Sequence, residues 1–150
     1  MSDSDRRTVL LAQHKRISTL TSMVRAAAGA VLSVDDPVPV GQLESLERSI
    51  EMLAAAMEAH LDNEEAFLRP LLWQMGTWGR YRFDILRAEH IQQRATLSAL
   101  RSEQCGIEPY RRARKAASVA EEIARDMAVE ERDLFTTVFG EEPAASAAGR

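Results

Sequence analysis

Met57-Glu58-Ala59-His60-Leu61-Asp62-Asn63-Glu64-Glu65-Ala66-Phe67-Leu68-Arg69-Pro70-Leu71 has the apolar spacing of a helix, with a histidine and a carboxylate one turn apart on its inner stripe. Extending the count in both directions, Leu46, Ile50, Leu53, Met57, His60, Glu64, Phe67 and Leu71 recur at alternating steps of four and three. That is the seam of a helix facing a bundle. Only His60 and Glu64 in it are not apolar. A neutral imidazole and an ionised carboxylate buried without partners each cost several kcal/mol, so the rest of the chain must bring them partners or a cation.

Three more seams follow from the same counting. Leu10, His14, Ile17, Thr21, Val24, Ala28 and Val31 mark a first helix, with residues 1–4 frayed, Ser4 as N-cap and an end near Leu32. Asp35-Asp36-Pro37-Val38-Pro39 breaks it, and the second helix starts near Gly41. Pro70 should kink or end that helix, with Gly76 and Gly79 marking the next turn. A third helix is expected over about Tyr81 to Gln104, on the seam Phe83, Leu86, His90, Gln93, Leu97 and Leu100, with Cys105-Gly106 as its stop. Pro109 suits the first turn of a fourth, whose inward positions are Ala116, Val119, Ile123, Asp126, Glu130 and Leu134. The fold class is therefore all-α: an up-down-up-down antiparallel four-helix bundle over residues 1–140, with 141–150 a disordered tail.

Composition agrees and excludes several functions. Ala, Leu, Glu and Arg are common, while the chain of 150 residues is long enough for one full core. A net charge of −4 with interspersed signs gives no basic face for nucleic acid. One cysteine, Cys105, allows neither an internal disulfide nor a thiolate zinc cluster. The apolar run after Arg6-Arg7 breaks at once into Gln13, His14, Lys15 and Arg16, too short for an export signal, and no segment reaches membrane-spanning length. A cytoplasmic location without membrane contact is the expectation.

In an antiparallel pair, residues equally far from the connecting turn share a height. His14 and His60 each lie about 23 residues from the first connection, Glu64 and His90 about 13 from the second, and His90 and Asp126 about 18 from the third. His14, His60, Glu64, His90, Asp126 and Glu130 thus converge on one slab of the core. All three histidines of the chain are among them. Three imidazoles and three carboxylates in a dry bundle suit two closely spaced metal ions, iron or manganese, since calcium and magnesium want fewer imidazoles.

At this point the chain resembles the hemerythrin-like family, the HHE cation-binding bundles. The family pattern is a lone His, then His-x-x-x-Glu, a lone His and a second His-x-x-x-Glu on successive helices. His14 matches the first, His60 with Glu64 the second and His90 the third, while Glu130 matches the closing Glu. The run Glu64 to Pro70 and the run Glu130-Glu131-Arg132-Asp133-Leu134-Phe135 are similar to the family's Glu-Glu endings. The resemblance spans roughly residues 8 to 139. It implies two non-haem iron ions, with His14, His60, His90 and Asp126 as terminal ligands, Glu64 and Glu130 as bridges, and dioxygen, peroxide or nitric oxide as the small partner. One position departs from the pattern: Asp126 stands where the second pair has His. Either Asp126 ligates, giving a harder and more anionic set, or the second ion is weak or absent.

Blander readings stand beside this one. A lone His on an apolar face is more often a hydrogen-bonded core residue. Glu65, Glu89 and Glu131 read as solvated, with support of a ligand as the alternative. Met23, Met52 and Met57 read as packing, Trp73 and Trp78 as closing the bundle end, and Cys105 as inert. Three function classes follow: an oxygen- or peroxide-handling centre, an iron- or redox-sensing module without turnover, and a mono-metal or metal-free interaction bundle.

Overall fold

The computed structural model describes residues 1–103 and 108–140. Four long helices run over Asp3–Leu32 (α1), Val40–Gln74 (α2), Gly76–Ser102 (α3) and Pro109–Glu130 (α4). A π-helical turn at Glu131–Phe135 and a short helix at Thr136–Phe139 (α5) extend the last of them. Among the described residues there is no strand, and no helix is long and apolar enough to cross a membrane. The expected stop at Cys105-Gly106 and the 141–150 tail lie outside the described residues.

Helix α1 starts earlier than expected because Ser2, not Ser4, is its N-cap. Ser2 Oγ accepts from Asp5 N–H at 3.1 Å while Asp5 Oδ2 accepts from Ser2 N–H at 2.8 Å, so two otherwise unpaired donors are satisfied at once. Residues 3 and 4 are helical rather than frayed. At α4, Pro109 occupies the first turn, and Glu108 accepts from the backbone N–H groups of Tyr110 and Arg111.

The α2–α3 connection departs most from expectation. Pro70 removes one ladder hydrogen bond, yet α2 continues to Gln74. The turn beyond the proline is held by burial: Leu68, Leu71 and Leu72 pack with Leu10, Phe83, Leu86, Leu134 and Phe135. A single residue, Met75, then separates α2 from α3, and α3 begins at Gly76 rather than Tyr81. Gly76 takes φ +73°, the left-handed conformation that favours glycine. Gly79 answers a different need, because a Cβ there would lie 1.7 Å from the Leu72 carbonyl oxygen. Trp73 and Trp78 do not close the bundle end. Both are nearly half exposed, with the Arg69 guanidinium 4.6 Å over the Trp73 ring.

All seven seam positions counted on α1 are buried, as are most of those on α2 to α4. Phe67 is only half-buried and Leu68 takes its place, the drift expected when a 3.6-residue helix is counted in sevens. The core falls into two apolar clusters. One gathers Val24, Ile50, Leu53, Met57, Leu97, Ala116 and Ile123 with their neighbours; the other is the Leu68–Phe135 cluster described above. On every helix the break between them falls at the polar seam positions, so a polar layer lies between two dry ones. Helix α1 packs on α2 and α4, and α2 packs on α3, whereas α3 and α4 touch far less.

Because the Leu72 carbonyl is backbone, it cannot swing away from an added methyl group. Gly79→Ala should cost about 2–4 kcal/mol, read as a lower urea midpoint. Gly41→Ala, whose Cβ meets nothing within 4 Å, should be neutral or slightly stabilising in the same measurement.

Candidate metal centre

Each of the three histidines is oriented by a second residue through its outer ring nitrogen. His14 Nδ1 lies 3.0 Å from Glu131 Oε1, His60 Nδ1 3.1 Å from Gln13 Oε1, and His90 Nδ1 2.8 Å from Glu65 Oε1. Those oxygens accept, so each ring carries its proton on Nδ1 and turns an Nε2 lone pair inward. Glu65 is held in turn by Arg94, which donates to it and to Asp62 at 2.8 Å each. Those two hydrogen bonds tie α3 to α2.

The inward nitrogens meet other acceptors. His14 Nε2 is 3.1 Å from His60 Nε2 and 3.0 Å from Glu130 Oε1; His90 Nε2 is 3.1 Å from Glu64 Oε2. His60 Nε2 stands 3.5 Å from both Glu64 Oε2 and Glu130 Oε1. Two sets of three donor atoms come close enough to hold an ion, His14–His60–Glu130 and Glu64–His90–Glu130, and Glu130 belongs to both. The other Glu64 oxygen, Oε1, is buried and has no hydrogen-bond partner. A buried carboxylate oxygen without a donor, among lone pairs that face one another, fits a cation.

Without a cation, protons have to fill that role. Burial, reinforced by the Glu130 charge, pushes the Glu64 carboxyl well above its usual 4.5. Burial would raise Glu130 too, but contact with the His14 and His60 rings outweighs it and holds this carboxyl low. Burial also drives the His60 imidazole below its usual 6.5. Of the two carboxyls, then, Glu64 keeps the proton and Glu130 the charge.

The π turn explains how one helix contributes so much. Inserting one residue per turn lets Glu130 face the centre, Glu131 reach His14, and Leu134 and Phe135 both turn inward. The Phe135 ring stacks on His14 with centroids 4.8 Å apart.

Five of the six expected residues, His14, His60, Glu64, His90 and Glu130, come together. Asp126 joins neither set; it is half-buried and accepts from Gln93 Nε2 at 3.3 Å, across from α4 to α3. Of the residues that orient the histidines, two carried that role in the sequence only as an alternative. Glu65 and Glu131, read there as solvated with support of a ligand as the alternative, take the alternative: Glu65 sits on His90, and Glu131, though exposed, sits on His14. Gln13 carried no assigned role. The usable signal was adjacency: each of the three is the chain neighbour of a centre residue, about 100° around the helix and so aimed at the next helix. Glu89 is exposed, near Arg82.

The raised Glu64 pKa has a consequence for the metal-free protein. Its stabilising share is complete below the unfolded value of 4.5 and is lost as pH rises through the folded value. Glu64→Gln keeps the shape and removes that loss. In chelator, the variant should melt about 3 °C above the unaltered chain near pH 7.5, with the gap closing toward pH 4.5. Thermal melts of the two proteins across that range check it.

The family model described as Hemerythrin HHE cation binding domain matches residues 6–138. No curated protein and no solved structure matches the chain. With that match over nearly its whole length, and with its candidate ligands gathered in one buried layer, the chain belongs to the hemerythrin HHE cation-binding family.

Proposed function

We propose that the protein is a non-haem di-iron protein that handles or senses dioxygen, peroxide or nitric oxide. The observation that carries this reading is the convergence of three Nε2 atoms and two carboxyl groups in one buried layer, with Glu64 Oε1 left without a partner. One ion would take His14, His60 and Glu130, and the other Glu64, His90 and Glu130, with Glu130 as the bridge and Glu64 near enough to His60 to share. Manganese suits the same set. The short connections between successive helices favour an up-down-up-down antiparallel bundle, in which every helix delivers ligands at one height.

When bound, iron supplies one-electron redox changes and an open coordination position for a small ligand. The chain's own residues do the rest. Glu131, Gln13 and Glu65 fix the imidazole tautomers and raise their basicity. The two apolar clusters keep bulk water from either side of the layer. Glu64 releases the proton that burial forces on it when a cation arrives, so metal uptake is favoured by rising pH.

Metal content after iron-supplemented expression tests the reading. The unaltered chain should hold about two iron atoms, show the optical spectrum of a bridged ferric pair, and melt higher with iron than without. A metal in hundredfold excess over its Kd adds about 2.7 kcal/mol. His60→Ala should cut the iron content to one atom or fewer and abolish the melting shift. Equal iron content in the two proteins would sink the assignment. Peroxide consumption by the iron-loaded protein separates an enzyme from a sensor, for which melting alone responds.

A further inference from the structure

The centre is closed on nearly every side. The side chains of His14, His60, Glu64 and His90 are at most 1% exposed, whereas Glu130 is 12% exposed. Glu130 also lines a cleft of about 320 Å³ that opens between α3 and α4, the pair of neighbouring helices that touches least. The cleft has apolar walls, Leu97, Val119, Ile123 and Val129, and carboxylates from Glu89, Glu122, Asp126 and Asp133 against one cation, Arg82. Arg132 occupies Asp133, and Arg82 stands 3.9 Å from Glu89. Among the described residues, Glu122 and Asp126 have no Lys or Arg within ion-pair distance. Gln93 bridges the cleft wall to Asp126, and its own Oε1 is buried without a partner.

From this geometry we infer that the α3–α4 cleft is the route by which divalent cations reach the centre, with Asp126 and Glu122 as transit groups along it. This rests on the reading of the centre as a metal site and adds where the metal enters. Low-dielectric walls carrying charge of one sign focus the field and raise the local cation concentration. Oxygen atoms of Glu122, Asp126, Gln93 and Glu130 offer a cation successive contacts as its water is shed. The cleft reaches Glu130, which belongs to both sets of candidate ligands and joins the second of them to Glu64. The aspartate that breaks the ligand pattern thus acquires a role of its own: it holds a cation in passage, and the Gln93 amide holds it between passages.

Co2+ alone is the probe, its uptake by the metal-free full chain followed by stopped-flow absorbance and its final content by elemental analysis. In the unaltered protein, uptake should slow steeply as salt rises, because screening weakens the attraction. The double variant Asp126→Asn, Glu122→Gln should load about tenfold more slowly, with a flattened salt dependence, and reach the same final content. Val129→Trp, at an exposed position of the wall, should slow uptake without changing its salt dependence. An unchanged rate in the double variant overturns the route. A lower final content overturns it differently, by making Asp126 a resident ligand. Failure of the unaltered chain to take up any Co2+ refutes the metal centre itself, and the route with it.

Discussion

Three imidazole rings are pinned from outside the core, and everything within the bundle follows from how they are pinned. A histidine whose Nδ1 proton is committed to an acceptor has one lone pair left to offer, and here all three offer it to the same small volume. Packing alone would never select that arrangement. Lone pairs at 3.1 Å from one another repel, and the Glu130 carboxylate beside them adds charge in a poor dielectric. The fold must therefore hold this layer together by other means. It does so with an apolar cluster on each side and with cross-helix contacts such as Arg94 on Asp62 and Glu65. The polar layer is bracketed.

The strain of that layer is placed unequally. Glu64 is fully buried inside α2, and burial drives it toward the neutral acid. Glu130 lies at the end of α4, where the helix loosens into a π turn and a cleft admits solvent, and it carries the charge. The two carboxyls are chemically identical and differ only in position. The end of α4 gives the centre access, and the interior of α2 gives it protection.

Much of this was legible in the residue order. Steps of four and three located four helices and put five centre residues at one height, because helical rise is constant and connections are short. Local rules failed where tertiary packing outweighed them. Pro70 was expected to kink or end α2; it does not end it, because the leucines around it bury well enough to carry the helix on to Gln74. Gly79 read as a turn residue, whereas its need is close approach to the Leu72 carbonyl, which only coordinates disclose. Glu65 and Glu131 looked solvated because a seam count assigns each residue to one face, while long side chains near a seam reach the neighbouring helix. Asp126 was counted with the centre on the strength of its seam. It accepts from Gln93 and lines the cleft, outside both sets of candidate ligands.

The π turn at Glu131–Phe135 ties two kinds of part to one local choice of winding. The extra residue in that turn sets the phase of everything after it. Glu131 beneath His14 and Phe135 stacked on the same ring are thereby fixed together. Chain length in this segment is consequently not free to drift: losing one residue would rotate the aromatic platform and the carboxylate anchor away from the imidazole in a single step. Substitution can tune the last helix of this protein, but insertion and deletion are closed to it there.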